Sequence, residues 1–281
     1  MKKIIETANR SLQLASKNGH AERVKLLIPV SDPKANESLA LCWASEYGHA
    51  ECVKLLIPVS DLKLDENIAL QLASQNGHTE CVKLLITASN LEYNNKSLRW
   101  DSSRVHTKCL PVSNQKDINS QALNLAATNG HTECVKLLIP VSDPKSNNGS
   151  ALLWASEYGH AECVKLLIPV SDPKVNNSIA LRRASENGHI ECVKLLIPVS
   201  DPKNNKSESL RMAAENNNRT CVELLLPHSD ISKWGKNEWS DINFDTQNII
   251  KSYFSKVSLI NNILTNVSPN NSKISKKNKI I

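Results

Sequence analysis

Residues 38–61 contain the pattern that organises the chain. Leu41 and Ala44 follow Ser38 at helical spacing; then come Gly48-His49, Glu51, and the apolar run Cys52-Val53-x-Leu55-Leu56-Ile57, ended by Pro58. Apolar positions three and four apart predict one face of an amphipathic helix. The glycine after it suits a left-handed helix end. A second short helix follows, with an acid in its first turn where the dipole favours one and a proline that stops it. Ser-Asp-Pro-Lys, present in most copies, then reads as a turn.

The pattern recurs. Gly-His pairs stand at Gly19-His20, Gly48-His49, Gly77-His78, Gly130-His131, Gly159-His160 and Gly188-His189, a period of 29 residues broken once by a gap of 53. Asn217-Asn218 occupies the same place in a last, worn copy. The long gap fits one ordinary repeat plus a degenerate one at about 91–116, in which residues 105–114 carry VHTKCLPVSN with four helix positions missing. This predicts eight repeats, with a hinge or frayed joint near residues 90–118. WASEYGHAECVKLLIPVSD occurs at 43–61 and again at 154–172, which points to block duplication and, on this count, to a spacing of four repeats. A column of Asn9, Ser38, Asn67, Asn95, Ser120, Gly149, Ser178 and Ser207 precedes each first helix, and these residue types predict N-caps.

A helix-turn-helix unit this short cannot bury its apolar faces alone, so neighbours must stack into a solenoid. The residues S-x-A-L-x-x-A-S-E-x-G-H-x-E-C-V-K-L-L-I resemble the ankyrin repeat over about residues 5–229. They depart from it in lacking the T-P-L-H tetrapeptide and in a period of 29 rather than 33. The resemblance implies an all-α solenoid in which the four missing residues come from the projecting β-hairpin finger, leaving fingers short or absent. The expected organisation is a repeat array over 1–230, a capping or adaptor segment over 231–266, and a lysine-rich tail over 267–281. Residues 246–264 predict a helix with Ile249, Ile250, Phe254, Val257 and Ile260 on one side.

Composition narrows the function. Aromatics are only 4% of the 281 residues, so the core is aliphatic. Four of the six net positive charges lie in the tail, on Lys273, Lys276, Lys277 and Lys279, so the nearly neutral body implies no nucleic-acid partner. No signal-peptide stretch and no run of eighteen apolar residues occurs, and neither secretion by that route nor membrane insertion is expected. Cys52, Cys81, Cys134, Cys163, Cys192 and Cys221 share one position of the second helix. Stacked units place them roughly 10 Å apart, too far to bridge, so they read as small core residues in a reducing, intracellular setting. The repeated histidines have no ligand beside them at zinc spacing and are expected to fix the turn by hydrogen bonding. No phosphate loop, nucleophile elbow or H-E-x-x-H occurs. No enzyme activity, cofactor, metal or small-molecule substrate is expected.

Where copies are nearly identical, the informative positions are those that vary. They are Lys17-Asn18, Glu46-Tyr47, Gln75-Asn76, Thr128-Asn129, Glu157-Tyr158 and Glu186-Asn187, just before each Gly-His. The ankyrin resemblance implies that these pairs face the concave, partner-binding side, with Tyr47 and Tyr158 as anchors. Taken alone they also read as plain solvent-facing helix ends. A second varying column, Trp43, Trp100, Trp154, Arg183 and Met212, is expected in the core. Arg182, Arg183, Arg211 and Arg219 form a basic cluster offset by Glu186, Glu208 and Glu215, a solvated face or a selector of acidic peptides. The expected function is a non-catalytic, monomeric scaffold for an unidentified protein partner, placed in a host cytoplasm or nucleus if the chain is a viral or bacterial effector. The rivals are binding of nucleic acid or a membrane surface through the tail, an adaptor role for 231–266, and an array with no fixed partner.

Overall fold

The computed structural model describes residues 2–60, 68–97 and 112–267. Seven helix pairs stack among them, and no strand occurs among the described residues. The first helices are α1 (Lys2–Lys17), α3 (Ala35–Glu46), α5 (Ile68–Gln75), α7 (Val112–Thr128), α9 (Ser146–Glu157), α11 (Val175–Glu186) and α13 (Asn204–Glu215). The second helices are α2 (Ala21–Leu27), α4 (Ala50–Leu56), α6 (Thr79–Ser97), α8 (Thr132–Leu138), α10 (Ala161–Leu167), α12 (Ile190–Leu196) and α14 (Arg219–Leu225). Each set packs in chain order as one layer. The core lies between the layers: Ala40, Leu41 and Ala44 of α3, with their equivalents, meet Cys52, Val53 and Leu56 of α4 and theirs. Each such Val or Leu contributes roughly 1.5–3 kcal/mol by burial. The outermost unit replaces the core cysteine by Arg23, which is exposed, as a solenoid end requires.

The Pro of a second helix ends the α-helix, opening a 3₁₀ turn in five units, as at Ile28–Val30 and Ile57–Val59, and a plain turn after α12. Where Thr87-Ala88 replaces Pro-Val, nothing breaks the helix, and α6 runs on to Ser97. This corrects two expectations. Asn95 lies inside α6 rather than capping a further helix. No helix pair stands between the third unit and the one carrying His131, since α5 packs directly on α7 and α6 on α8. Gln71 Nε2 donates to Gln121 Oε1 at 3.1 Å across that joint. Thr79 Oγ1 meets Cys134 Sγ at 3.8 Å, matching Thr132 to Cys163 at 3.7 Å one unit later. Among the described residues the solenoid therefore has seven stacked units, and this joint is closed by the same contacts as its neighbours. Residues 98–111 of the expected degenerate repeat, and Asn67, lie outside the described residues.

The column expected to cap the first helices does other work. Ser120 Oγ accepts the Asp143 N–H at 2.9 Å, Ser178 Oγ that of Asp201 at 3.0 Å, and Ser207 Oγ that of Asp230 at 2.7 Å. Asn9 Oδ1 accepts Asp32 N–H at 2.7 Å. Each bond ties the start of a unit to the turn 23 residues later that closes it. Four of these residues sit in a left-handed turn of three consecutive residues: Asn36-Glu37-Ser38, Asn147-Asn148-Gly149, Asn176-Asn177-Ser178 and Asn205-Lys206-Ser207. Left-handed backbone costs roughly 1–2 kcal/mol per L-residue, and asparagine, the side-chain-bearing residue that tolerates it best, fills six of the twelve positions. A backbone bond closes each turn, such as Ser178 N–H to Lys174 O at 3.2 Å.

Beyond the last unit, α15 (Lys236–Ser240) and α16 (Phe244–Val267) follow. Asn243 caps α16 by accepting the Thr246 N–H at 2.8 Å. Ile242 and Ile250 are buried in the common core, and Trp234, Trp239, Ile249, Tyr253 and Phe254 pack against it. Trp234 Nε1 donates to Lys206 O at 2.6 Å, and Lys206 pairs with Glu238 at 2.6 Å. Ile260, expected on the packed side, is exposed, because α16 extends past the last helix pair.

Candidate functional site

The Gly-His pair proves to be a joint between units. His49 Nε2 donates to Lys17 O at 2.9 Å, His78 to Glu46 O at 2.9 Å, His131 to Gln75 O at 2.9 Å, His160 to Thr128 O at 2.8 Å and His189 to Glu157 O at 2.9 Å. Each ring crosses to the preceding unit and lies on its glycine. A Cβ at Gly48 would stand 2.5 Å from His78 Nδ1, and Gly48 has φ +75°. Glycine is therefore required twice, for its backbone angle and for the ring above it. In the last unit Asn217 takes the left-handed position, and Asn218 Nδ2 donates to Glu186 O at 2.6 Å in place of the ring.

This joint fixes where the varying pairs point. The first member of each pair, Lys17, Glu46, Gln75, Thr128, Glu157 or Glu186, ends a first helix and lends its carbonyl to the joint. The second member, Asn18, Tyr47, Asn76, Asn129, Tyr158 or Asn187, is exposed in every unit. Tyr47 is 45% and Tyr158 52% exposed. With seven units they lie three steps apart, roughly 30 Å, rather than the expected four.

The column expected in the core lies on this same face. Trp154 is 36% exposed, and Trp43, Arg183 and Met212 are half-buried; Trp100 lies outside the described residues. The spacing of four residues between Trp43 and Tyr47, and between Trp154 and Tyr158, puts each pair on one side of its helix. Lys17 Nζ stands 5.3 Å from the Trp43 ring centre and 5.2 Å from that of Tyr47, within cation–π range. The Trp154 and Tyr158 rings stack with centres 6.3 Å apart.

The arginine cluster is consumed internally. Arg182 bonds Glu208 at 2.8 Å, Arg211 bonds Glu215 at 2.5 Å, and Arg219 bonds Glu223 at 2.9 Å. Arg183 lies between Glu157 at 3.6 Å and Glu186 at 2.9 Å. Burial pushes the Glu208 carboxyl up, but hydrogen bonds from Asn205 and Arg182 and the nearby Arg211 charge outweigh it and hold it below the usual range. Pairing of this kind leaves little attraction for an acidic peptide.

The core cysteines have raised thiol pKa values, Cys42, Cys81 and Cys192 to about 11, chiefly through burial. All seven in the described residues are free. No group of metal-ligating side chains occurs among the described residues, and no described helix is long and apolar enough to cross a membrane. A shallow cavity of about 510 Å³ lies between α14 and α16, lined by Glu223, Leu226, Ile249, Tyr253 and Lys256 among others.

A family model for ankyrin repeats (three copies) matches residues 12–97, 105–177 and 168–237. No curated protein matches. Among solved structures, the crystal structure of the human ASB11 ankyrin repeat domain superposes with a TM-score of 0.57 at 21% identity, covering 76% of this chain and 96% of that one. At that identity the likeness shows the shared solenoid fold.

Proposed function

The chain belongs to the ankyrin repeat family, whose repeats generally serve as protein-interaction modules, and on that premise we propose that it is a non-catalytic scaffold that binds a partner protein on the face formed by the ends of α1, α3, α5, α7, α9 and α11. The observation that carries this reading is the pair of solvent-facing aromatic ridges, Trp43-Tyr47 and Trp154-Tyr158, on an otherwise aromatic-poor surface. Aromatic side chains give large contact area at low entropic cost and dominate interface energetics. Asn18, Asn76, Asn129 and Asn187 supply adaptable polar contacts between and beside the ridges. The scaffold works as a monomer in a reducing, intracellular compartment, a setting supported by its buried, unpaired thiols.

Affinity capture from nuclease-treated host-cell lysate, comparing the native chain with the Tyr47→Ala, Tyr158→Ala double variant, tests this. A protein retained by the native chain and lost by a variant of unchanged thermal stability supports the reading. Identical capture by both overturns the assignment of the face.

A second reading makes residues 231–266 an adaptor for another protein. It is favoured by the exposure of Phe244, Leu259 and Ile260 on α16, at 74%, 61% and 54%. Capture of a protein that survives the double tyrosine variant but not Leu259→Asp, Ile260→Asp would support it.

A further inference from the structure

The duplicated block places the same aromatic pair in two units, but only one of them is occupied by a cation. In the second unit Lys17, reaching from the unit before, stands over both Trp43 and Tyr47 at 5.3 and 5.2 Å. In the fifth unit the sequence from Trp154 to Tyr158 repeats that from Trp43 to Tyr47, while the residue in the position of Lys17 is Thr128. Threonine has neither the reach nor the charge, and its hydroxyl is turned back to Asn124 O at 2.7 Å. The Trp154 and Tyr158 rings are accordingly left open to solvent.

The surrounding charge agrees. Beside the first pair stand one cation, Lys17, and one acid, Glu46. At the second, Arg183 is held between Glu157 and Glu186, so two carboxylates face one guanidinium and one negative charge is left over. The corresponding positions beside the first pair are Leu72 and Gln75, which add none.

Building on the scaffold reading, we propose that Trp154 and Tyr158, with Glu157 and Glu186 beside them, form the receiving site for one lysine or arginine side chain of the partner protein. Lys17 is the built-in occupant of the matching site. The partner's cation takes at Trp154-Tyr158 the place that Lys17 holds at Trp43-Tyr47, and desolvation against the two rings strengthens the attraction. The two ridges then differ in role: the second recognises a basic residue, and the first meets the partner with its cation already in place.

The test uses the full chain and N-acetyl-lysine methylamide as probe, with the uncharged norleucine analogue as control, read by the indole N–H resonances of Trp154 and Trp43. The expected result is a saturable shift of Trp154 with the lysine probe, none with norleucine, and no response at Trp43. Lys17→Thr should open the first site, so that Trp43 then responds. Thr128→Lys should fill the second from within and weaken the Trp154 response roughly tenfold, the equivalent of about 1.4 kcal/mol, while the uncharged Thr128→Gln retains it. Equal responses to the two probes, or a Trp154 response untouched by Thr128→Lys, overturn the proposal. A captured partner that depends on Tyr158 but binds the Thr128→Lys chain normally overturns it too, and leaves the scaffold reading standing. A Trp154 site that passes every probe test in a chain whose capture ignores both tyrosines supports the cation site and removes the scaffold reading.

Discussion

His131 Nε2 donates to the carbonyl of Gln75 across 56 residues, at the same 2.9 Å that separates His49 from the carbonyl of Lys17 across 32. The joint between the third and fourth units is therefore closed like the others, although more chain separates its two halves.

Replacement of residues 98–111 by a shorter Gly-Ser linker should leave the solenoid intact. Shortening a loop changes closure entropy only slowly, by about 0.6 kcal/mol per halving. The melting temperature should stay within a few degrees of the native value, and amide exchange in α5 and α7 should be as slow as in α9 and α11. Selective fast exchange at α5 and α7 in the shortened chain would show that the removed segment is structural.

Gly130 and Gly149 offer a paired comparison of two glycines at φ +74° and +71°. Gly149→Ala meets nothing closer than Val175 Cγ1 at 3.9 Å, and serine holds the same conformation at Ser38, Ser178 and Ser207. It should cost about 1 kcal/mol. Gly130→Ala would put a methyl 2.5 Å from His160 Nδ1, displacing the ring and its bond to Thr128. Its cost should exceed that of Gly149→Ala by about 1 kcal/mol or more; equal costs in urea unfolding would mean that the ring packing contributes nothing.

The buried thiols give a sign for the alkaline limit. Burial, reinforced by Glu80, holds Cys81 up to about 11, and burial with Cys163 and Glu191 does the same for Cys192, from an ordinary value of 9.0. These groups keep their proton longer when folded, so their contribution is complete below about pH 9 and is lost as the pH rises from there to about 11. In a Cys109→Ser background, a thiol reagent at pH 8 should label the native chain negligibly and label it fully once unfolded. Rapid labelling of native protein would contradict the burial.

Ile250 anchors α16 and is fully buried. Ile250→Ala should cost about 2–4 kcal/mol, and because a repeat array unfolds by neighbouring units, exchange should quicken first in α13 and α14. Acceleration in α3 to the same degree would show that the whole stack unfolds as one.

Much of this fold can be read from residue types. Glycine and proline punctuate the backbone whatever surrounds them, so the helix pairs and their turns follow from period and spacing. The missing proline at Thr87 is an equally plain signal, since with nothing to break it α6 runs on to Ser97. The histidine joint was less accessible, because its acceptor is a main-chain carbonyl: Lys17, Glu46, Gln75 and Thr128 share no side-chain chemistry. The serine column misleads for a related reason, since a hydroxyl before a helix looks the same whether it binds the next N–H groups or one 23 residues away. Leucine fills the column of Trp43 and Trp154 in other units, which points that column inward. Trp154 lies at the surface and Trp43 is half-buried, because a position at the edge of a helix face accepts either.

Each unit brings one half of a fastening on either side: a glycine and a carbonyl for the unit that follows, a histidine for the unit before. A copied block is thus compatible with any neighbour on arrival, and the array can lengthen or shorten in whole units without re-fitting an interface. Because the carbonyl half is indifferent to its side chain, mutation at Lys17, Thr128 and their counterparts can explore new surfaces while the assembly is held constant, so inheritance of the fold and invention of its specificity fall on different atoms of the same residue.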